Sequence, residues 1–396
     1  MALAAKAISK KYLIGGHRLG RSILSCKSML RLNSLSLIQF KNYLSRSIPF
    51  TERIICISGR NGVGKTNLLD AIHYLCFTKS YFTRDANNIL KGHDGFRLEG
   101  EFELWDKAEK AVCILRETGK KEFSINGQQY EKFSRHIGHY PCVIIAPDDI
   151  QIITGGSEER RRFIDALLSQ LDGNYLQQLI AYNKVLQQRN SLLRTFAETG
   201  SKDLALLSVL DDQLCESGER IFGKRKEFLV AFLPLVKQLY NGISKQLVPK
   251  DFYDENVNLF YDSELLKVSF SELIKASQPK DMMALRTTAG IHRDDLEFNL
   301  NEQPFKLIAS QGQKKSLLFA LKLAEIEILK KEKGFAPLLL LDDVFEKLDE
   351  ERIANLFQRV CIENDGQVFI TDTNRERLKQ HLEPLGQPYQ VVDLSE

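Results

Sequence analysis

The sequence predicts an α/β protein in which a mixed β core carries the chemistry and an inserted, mainly helical segment interrupts it. Three observations lead there. A glycine-rich loop, Gly59–Thr66, sits between a short apolar run and an amphipathic helix. Far downstream, four consecutive leucines end in two acids, Asp342 and Asp343. Between these lies a stretch from 157 to about 248 that is rich in Leu and Gln, poor in glycine and helically periodic.

Composition sets outer bounds. The chain has 396 residues, 43% apolar and 27% charged, which is ordinary for a globular protein and excludes disordered, collagenous and disulfide-scaffold classes. No apolar run approaches the roughly 18–20 residues of a membrane-spanning helix, so no membrane partner is expected. Seven scattered cysteines, without a C-x-x-C pair, read as reduced thiols of a cytoplasmic protein lacking structural zinc. The formal charge of +3 is misleading, because residues 1–28 hold six Lys and Arg and no acid. Without those six, the 52 acids outnumber the remaining bases, so a nucleic-acid surface must be a local patch. The acid-free leader has a transit-peptide composition, but the strand-like run after Met29 favours reading 1–28 as a poorly ordered extension. The expected organisation is 29–150 and 286–396 as the two parts of the core, with 151–285 as the helical insertion.

Taken in order, Leu35 and Leu37 alternate in a first strand, and Ile54–Ile57 form a short buried one. Leu68, Leu69, Ile72, Leu75 and Cys76 line one side of the helix after the loop. Phe96, Leu98, Phe102 and Leu104 mark a strand region, Asn126-Gly127 a hairpin turn, and Val143–Ala146 a buried strand ending at Pro147. About ninety helical residues suffice for a subdomain or hairpin, not for a long coiled-coil arm. Beyond a looser stretch, 250–285, strand and helix signals alternate again.

Gly59-Arg60-Asn61-Gly62-Val63-Gly64-Lys65-Thr66 fits G-x-x-x-x-G-K-[ST]. Its glycines allow tight turns that point successive amides at a β-phosphate. Lys65 would neutralise β/γ-phosphate charge and the Thr66 hydroxyl would hold Mg²⁺. The leucine run delivers carboxylates to the C-terminal edge of a sheet, where α/β proteins bind ligands. Asp342 would reach the Mg²⁺ shell and Asp343 would orient or polarise the attacking water. Ser310-Gln311-Gly312-Gln313 opens an amphipathic helix and presents a hydroxyl, amides and a positive dipole end suited to a γ-phosphate.

Together these residues resemble an ATP-binding-cassette ATPase head and, within that class, the RecF family. The matching pieces are Phe40-Lys41-Asn42-Tyr43, Gly59–Asn67, Pro147-Asp148-Asp149 with Arg160–Asp165, and Gly290-Ile291-His292-Arg293-Asp294-Asp295. Ser310–Gln313, Asp342-Asp343, Leu348-Asp349 and Gln367–Thr373 complete them. The resemblance implies a lobe I head with an inserted helical lobe II, and two heads sandwiching ATP and Mg²⁺. Ser310, Gly312 and Gln313 of one head would complete the site of the other. It further implies an ATP-dependent homodimer on gapped or single-stranded DNA, slow DNA-stimulated hydrolysis and a RecR-like mediator partner. The role the family implies is to help load recombinase during repair and replication restart. Several positions depart from transporter-type cassettes. Asp343 stands where those have glutamate, Glu346 lies near their usual serine, Thr371-Asp372-Thr373 occupies the switch-histidine position, and Gln151 is a weak candidate for the glutamine loop.

DNA contact would need placed cations rather than overall charge. Candidates are Arg160–Arg162, then Lys184, Arg189 and Arg194, then Lys224-Arg225-Lys226, each of which also reads as a solvated helix face. No aromatic-interleaved basic stretch is present, so sequence-independent binding is expected. His136 and His139 read as structural or surface residues, and His292-Arg293 as structural or interlobe rather than catalytic. The competing functions are a transporter ATPase subunit, which the absent switch histidine opposes, and a long-armed chromosome-maintenance subunit, which the short helical segment opposes. An OLD-type nuclease would need a further acidic domain.

Overall fold

The computed structural model describes residues 29–244, 256–343 and 350–394. The expected extension 1–28 lies outside these residues, as do Glu346, Leu348 and Asp349. Strands β1 (Leu30–Phe40) and β2 (Tyr43–Pro49) form a hairpin, and β3 (Ile54–Ser58) runs through the phosphate loop into α1 (Lys65–Phe77). There follow β4 (Phe96–Leu104), β5 (Lys107–Leu115), β6 (Lys121–Ile125), the short β7 (Gln128–Gln129) and β8 (Cys142–Ile145). Asn126 and Gly127, with φ of 51° and 81°, make the turn between β6 and β7, since a type I′ turn needs positive φ at both residues.

The helical segment comprises α2 (Gln151–Thr154), α3 (Ser157–Leu171), α4 (Gly173–Thr199) and α5 (Leu204–Ser244). α4 and α5 pack on each other as a hairpin of 27 and 41 residues. Next come β9 (Val257–Asp262), α6 (Phe270–Ala284), β10 (Asp295–Leu300), β11 (Gln303–Pro304), α7 (Phe305–Ile308) and α8 (Gln311–Lys333). The chain closes with β12 (Leu338–Leu341), α9 (Glu350–Phe357), β13 (Val368–Asp372), α10 (Arg375–Leu382) and β14 (Tyr389–Asp393). No described helix is long and apolar enough to cross a membrane.

Among the described residues three sheets result. An antiparallel sheet has the order β2-β1-β4-β5-β6-β7, a parallel sheet β14-β3-β13-β12-β8, and a small sheet β11-β10-β9. β9 pairs with β10 across the boundary expected at 285, so the small sheet joins the end of the insertion to the start of the second core segment.

The parallel sheet explains the apolar runs. β3, β8, β12 and β13 are buried at every position, because both faces are covered. Alternate side chains feed two cores. Ile55, Ile57, Leu338, Leu340 and Phe369 face α1 and the antiparallel sheet, whereas Ile54, Cys56, Leu339, Leu341 and Ile370 share a core with the helices, including Ile164, Phe232 and Leu321. Gln367, wholly buried, links the two sheets. Its Oε1 accepts the Leu32 N–H at 2.7 Å, and its Nε2 donates to the Leu32 carbonyl at 3.0 Å.

Because β3, β12 and β13 are parallel neighbours, their C-terminal ends share one edge: Thr371 lies opposite Ile57, and Leu341 opposite Ile370. That edge carries the candidate site.

Candidate functional site

The phosphate loop leaves β3 through three glycines with positive φ, 155° at Gly59, 81° at Gly62 and 116° at Gly64. Gly64 is also required sterically, since a Cβ there would lie 2.6 Å from Asn42 Nδ2 and 2.8 Å from the Tyr43 hydroxyl. Lys65 folds back into the loop and donates to the carbonyls of Gly59 and Arg60 at 3.0 and 3.3 Å. The turn between β1 and β2 braces the loop from outside. Asn42 donates to the Val63 carbonyl at 2.8 Å and Tyr43 to the Gly64 carbonyl at 3.0 Å, while Lys41 pairs with buried Asp70 at 2.6 Å. Burial pushes the Tyr43 phenol up to about 12, so it remains a donor. Sequence reasoning places Phe40–Tyr43 only in a family pattern; its contact with the loop is tertiary. At the head of the loop, the Ser58 hydroxyl is buried without a hydrogen-bond partner.

Asp342 leaves the end of β12 and meets this loop. The Thr66 hydroxyl donates to its carboxylate, 3.0 and 2.9 Å from the two oxygens, across 276 positions of sequence. The Thr371 hydroxyl donates to the same carboxylate at 2.9 Å. Burial raises the Asp342 pKa above the usual carboxylate range, and the Thr371 and Thr66 hydroxyls oppose that. Asp343 follows in a left-handed turn, φ 42°, its N–H donating to Thr371 Oγ1 at 2.9 Å. Asp372, at the switch position, is bound by Arg377 through Nε and Nη2 at 2.8 and 2.7 Å.

A hydroxyl and a carboxylate in direct contact at the foot of an amide-rich loop form a hard-oxygen donor set suited to Mg²⁺. The glycine loop with its inward lysine suits phosphate. The residues present therefore fit a Mg²⁺–nucleotide.

Ser310, Gly312 and Gln313 form a second feature. Ser310 is exposed and caps α8: its hydroxyl accepts from the Gln313 N–H at 3.2 Å, and Gln313 Oε1 accepts from the Ser310 N–H at 2.7 Å. This reciprocal box leaves the start of a 23-residue helix open to solvent.

The cation candidates divide into buried and exposed groups, with half-buried Arg161 between them donating to the Asp294 carbonyl at 2.6 Å. Arg160, Arg189 and Arg225 are buried and structural, which corrects their reading as a DNA-contact or solvated face. Arg160 binds Asp295 at 2.6 and 2.9 Å, Arg189 binds Asp211 and Asp281 at 2.6 and 2.7 Å, and Arg225 binds Asp165 and Asp294 at 2.8 and 3.0 Å. Arg162, Lys184, Arg194, Lys224 and Lys226 are exposed. His136, near 4 through burial, lies 2.7 Å from the Leu75 carbonyl. His292, also near 4 through burial, bridges Tyr182 and the Thr287 carbonyl at 2.7 and 3.2 Å. Gln151 is exposed at the start of α2. Among the described residues no group of three or more His, Cys, Asp or Glu could hold a metal ion.

Residues 31–391 match the model of the RecF/RecN/SMC N-terminal domain. A protein of Flavobacterium johnsoniae named DNA replication and repair protein RecF is 44% identical over 92% of this chain and 100% of its own length. The chain belongs to the RecF family. A RecF of Bacteroides thetaiotaomicron is 40% identical over 91% of this chain and 95% of its own. Among solved structures, that of the recombination mediator protein RecF with ATP in the RecFOR pathway superposes with a TM-score of 0.80 at 30% identity, covering 87% of this chain and 92% of that one. The form named RecF-ATPrS gives 0.79, also at 30% identity, covering 87% and 93%. The fold is thus the α/β head of the RecF family, as the sequence predicts.

Proposed function

We propose that the chain is an ATP-dependent DNA-binding protein of recombinational repair and replication restart. In this reading 29–150 and 286–396 form the ATPase lobe I, and 151–285 form lobe II. The observation that carries it is the hydrogen bond from Thr66 to Asp342, which joins the phosphate loop to the acidic strand end. RecF relatives of nearly full length and RecF structures named with ATP support it.

The amides of Gly59–Thr66 would cradle the β-phosphate, with Arg60, Asn61 and Val63 supplying backbone donors and Lys65 balancing charge toward the γ-phosphate. Mg²⁺ held by Thr66 and Asp342 would neutralise charge developing on the β and γ oxygens. Asp343, two residues beyond the strand, orients the attacking water. A shorter side chain than glutamate in that role suits slow turnover. Ser310, Gly312 and Gln313, exposed or half-buried at the start of α8, complete the site of a second head, so ATP drives dimerisation. The exposed cations Lys184, Arg194, Lys224 and Lys226 are the proposed phosphate contacts to gapped or single-stranded DNA, with affinity falling as salt rises. A RecR-like mediator and recombinase loading complete the proposal.

The test is ATP hydrolysis with and without gapped DNA, together with gel filtration. The rate is expected to rise with DNA; a rate indifferent to DNA favours a transporter-type ATPase and overturns the proposal. Lys65→Met should abolish nucleotide binding. Ser310→Arg should bind ATP as a monomer and form no ATP-induced dimer; normal dimers would refute the cross-subunit role.

A further inference from the structure

β13 lies between β3 and β12, so its last residues reach the edge where the loop and the acids meet. Thr371 is wholly buried there and contacts both aspartates. Its hydroxyl donates to Asp342 at 2.9 Å and accepts the Asp343 N–H at 2.9 Å. A hydroxyl has one proton and two lone pairs, so both bonds can form at once. The second falls on a residue whose backbone is held in the left-handed region, φ 42°, which a non-glycine residue adopts only when its surroundings hold it there. The next side chain on the strand is not available for this, because Asp372 is committed to Arg377 and to the Asn374 N–H.

We propose that Thr371 is a positioning residue whose hydroxyl holds Asp342 and Asp343 in mutual register for Mg²⁺ binding and hydrolysis. The proposal rests on the ATPase reading and names a residue that reading does not use. Threonine suits this buried strand position because a β-branched side chain favours the strand while its hydroxyl serves the carboxylate and the amide. Valine keeps the shape and removes the hydroxyl, and with it the bonds to the Asp343 N–H and to the Asp342 carboxylate. Serine keeps the hydroxyl and removes the methyl.

The full-length wild type, Thr371→Val and Thr371→Ser are compared by three measurements. These are equilibrium binding of a fluorescent ATP analogue in EDTA and in Mg²⁺, steady-state ATP hydrolysis, and thermal unfolding without nucleotide. Thr371→Val should bind in EDTA within ~2-fold of wild type, yet lose ~10–100-fold of the Mg²⁺-dependent gain and of kcat, the usual loss when a group orienting a metal ligand is removed. KM should change less than kcat, and Thr371→Ser should recover most of both. If valine does not fold, Thr371→Ala read against Thr371→Ser makes the same comparison. The assignment is overturned if valine retains the wild-type gain and kcat, if valine and serine fall together, or if binding drops equally in EDTA and Mg²⁺. Wild type that binds no ATP in either condition would instead refute the ATPase reading, and this assignment with it.

Discussion

Glu325 on α8 shows how far a single side chain can be displaced from its solution behaviour. It is 5% exposed, its Oε2 has no hydrogen-bond partner, and Lys322 is 3.8 Å away. Burial pushes its pKa up to about 7, against the pull of Lys322, which also pairs with Asp149 at 3.4 Å. A folded-state pKa above the unfolded value stabilises most at low pH, and this contribution is lost as pH rises from about 4.5 to about 7. Glu325→Gln should therefore gain stability relative to wild type across that window, on the order of 2–3 kcal/mol by pH 7.5. Urea unfolding at a series of pH values measures it, and a pH-independent difference would contradict it. His73, His136 and His292, each lowered to about 4 by burial, act in the opposite sense. Their stabilisation is full above pH 6.5 and lost as pH falls toward 4, so both curves should drop on acidification while their difference isolates Glu325. At this scale the sequence is legible where a motif has its own spacing, as in Gly59–Thr66. It is not legible for Thr371, Gln367 or the Glu325 cluster, whose partners are contributed by strands and helices far away in the chain.

Among the elements, the parallel strands are readable because burial on both faces demands continuous apolar runs, and α1 because its apolar face follows a glycine loop. The helical insertion is readable as helix, but the direction of its charges is not. Arg225 of α5 has the same local setting as Lys224 and Lys226, yet it turns inward to Asp165 of α3, to Asp294 and to the Ile291 carbonyl. Periodicity assigns a charged helical residue to the solvated side by default, and here acids brought close by the fold, Asp165 and Asp294, reverse that. Arg225→Ala should leave Asp294 buried without its counter-charge, held only by hydrogen bonds such as that from Tyr261, and destabilise the protein by ~3–5 kcal/mol. Lys226→Ala should be neutral in stability and weaken DNA binding, more so at low salt. Chemical denaturation and DNA titration separate the two; an unaltered midpoint for Arg225→Ala would refute the structural assignment.

For the whole molecule, the deciding feature is that the helices and one face of the parallel sheet share a single core. The insertion is thus separate in sequence but joined to the sheet in packing, and the two should unfold together. The chain has one tryptophan, Trp105, which packs against Phe335 beside the antiparallel sheet, whereas most of the helix content lies in the insertion and α8. Fluorescence and far-UV circular dichroism should accordingly give coincident denaturation curves, and two separated transitions would show the lobes to be independent. The long-range meeting of Thr66 with Asp342 and Thr371 carries a consequence for biosynthesis. A growing polypeptide owns its glycine loop from an early stage but acquires Asp342 only 276 positions after Thr66, so products terminated between them inherit half of the candidate site.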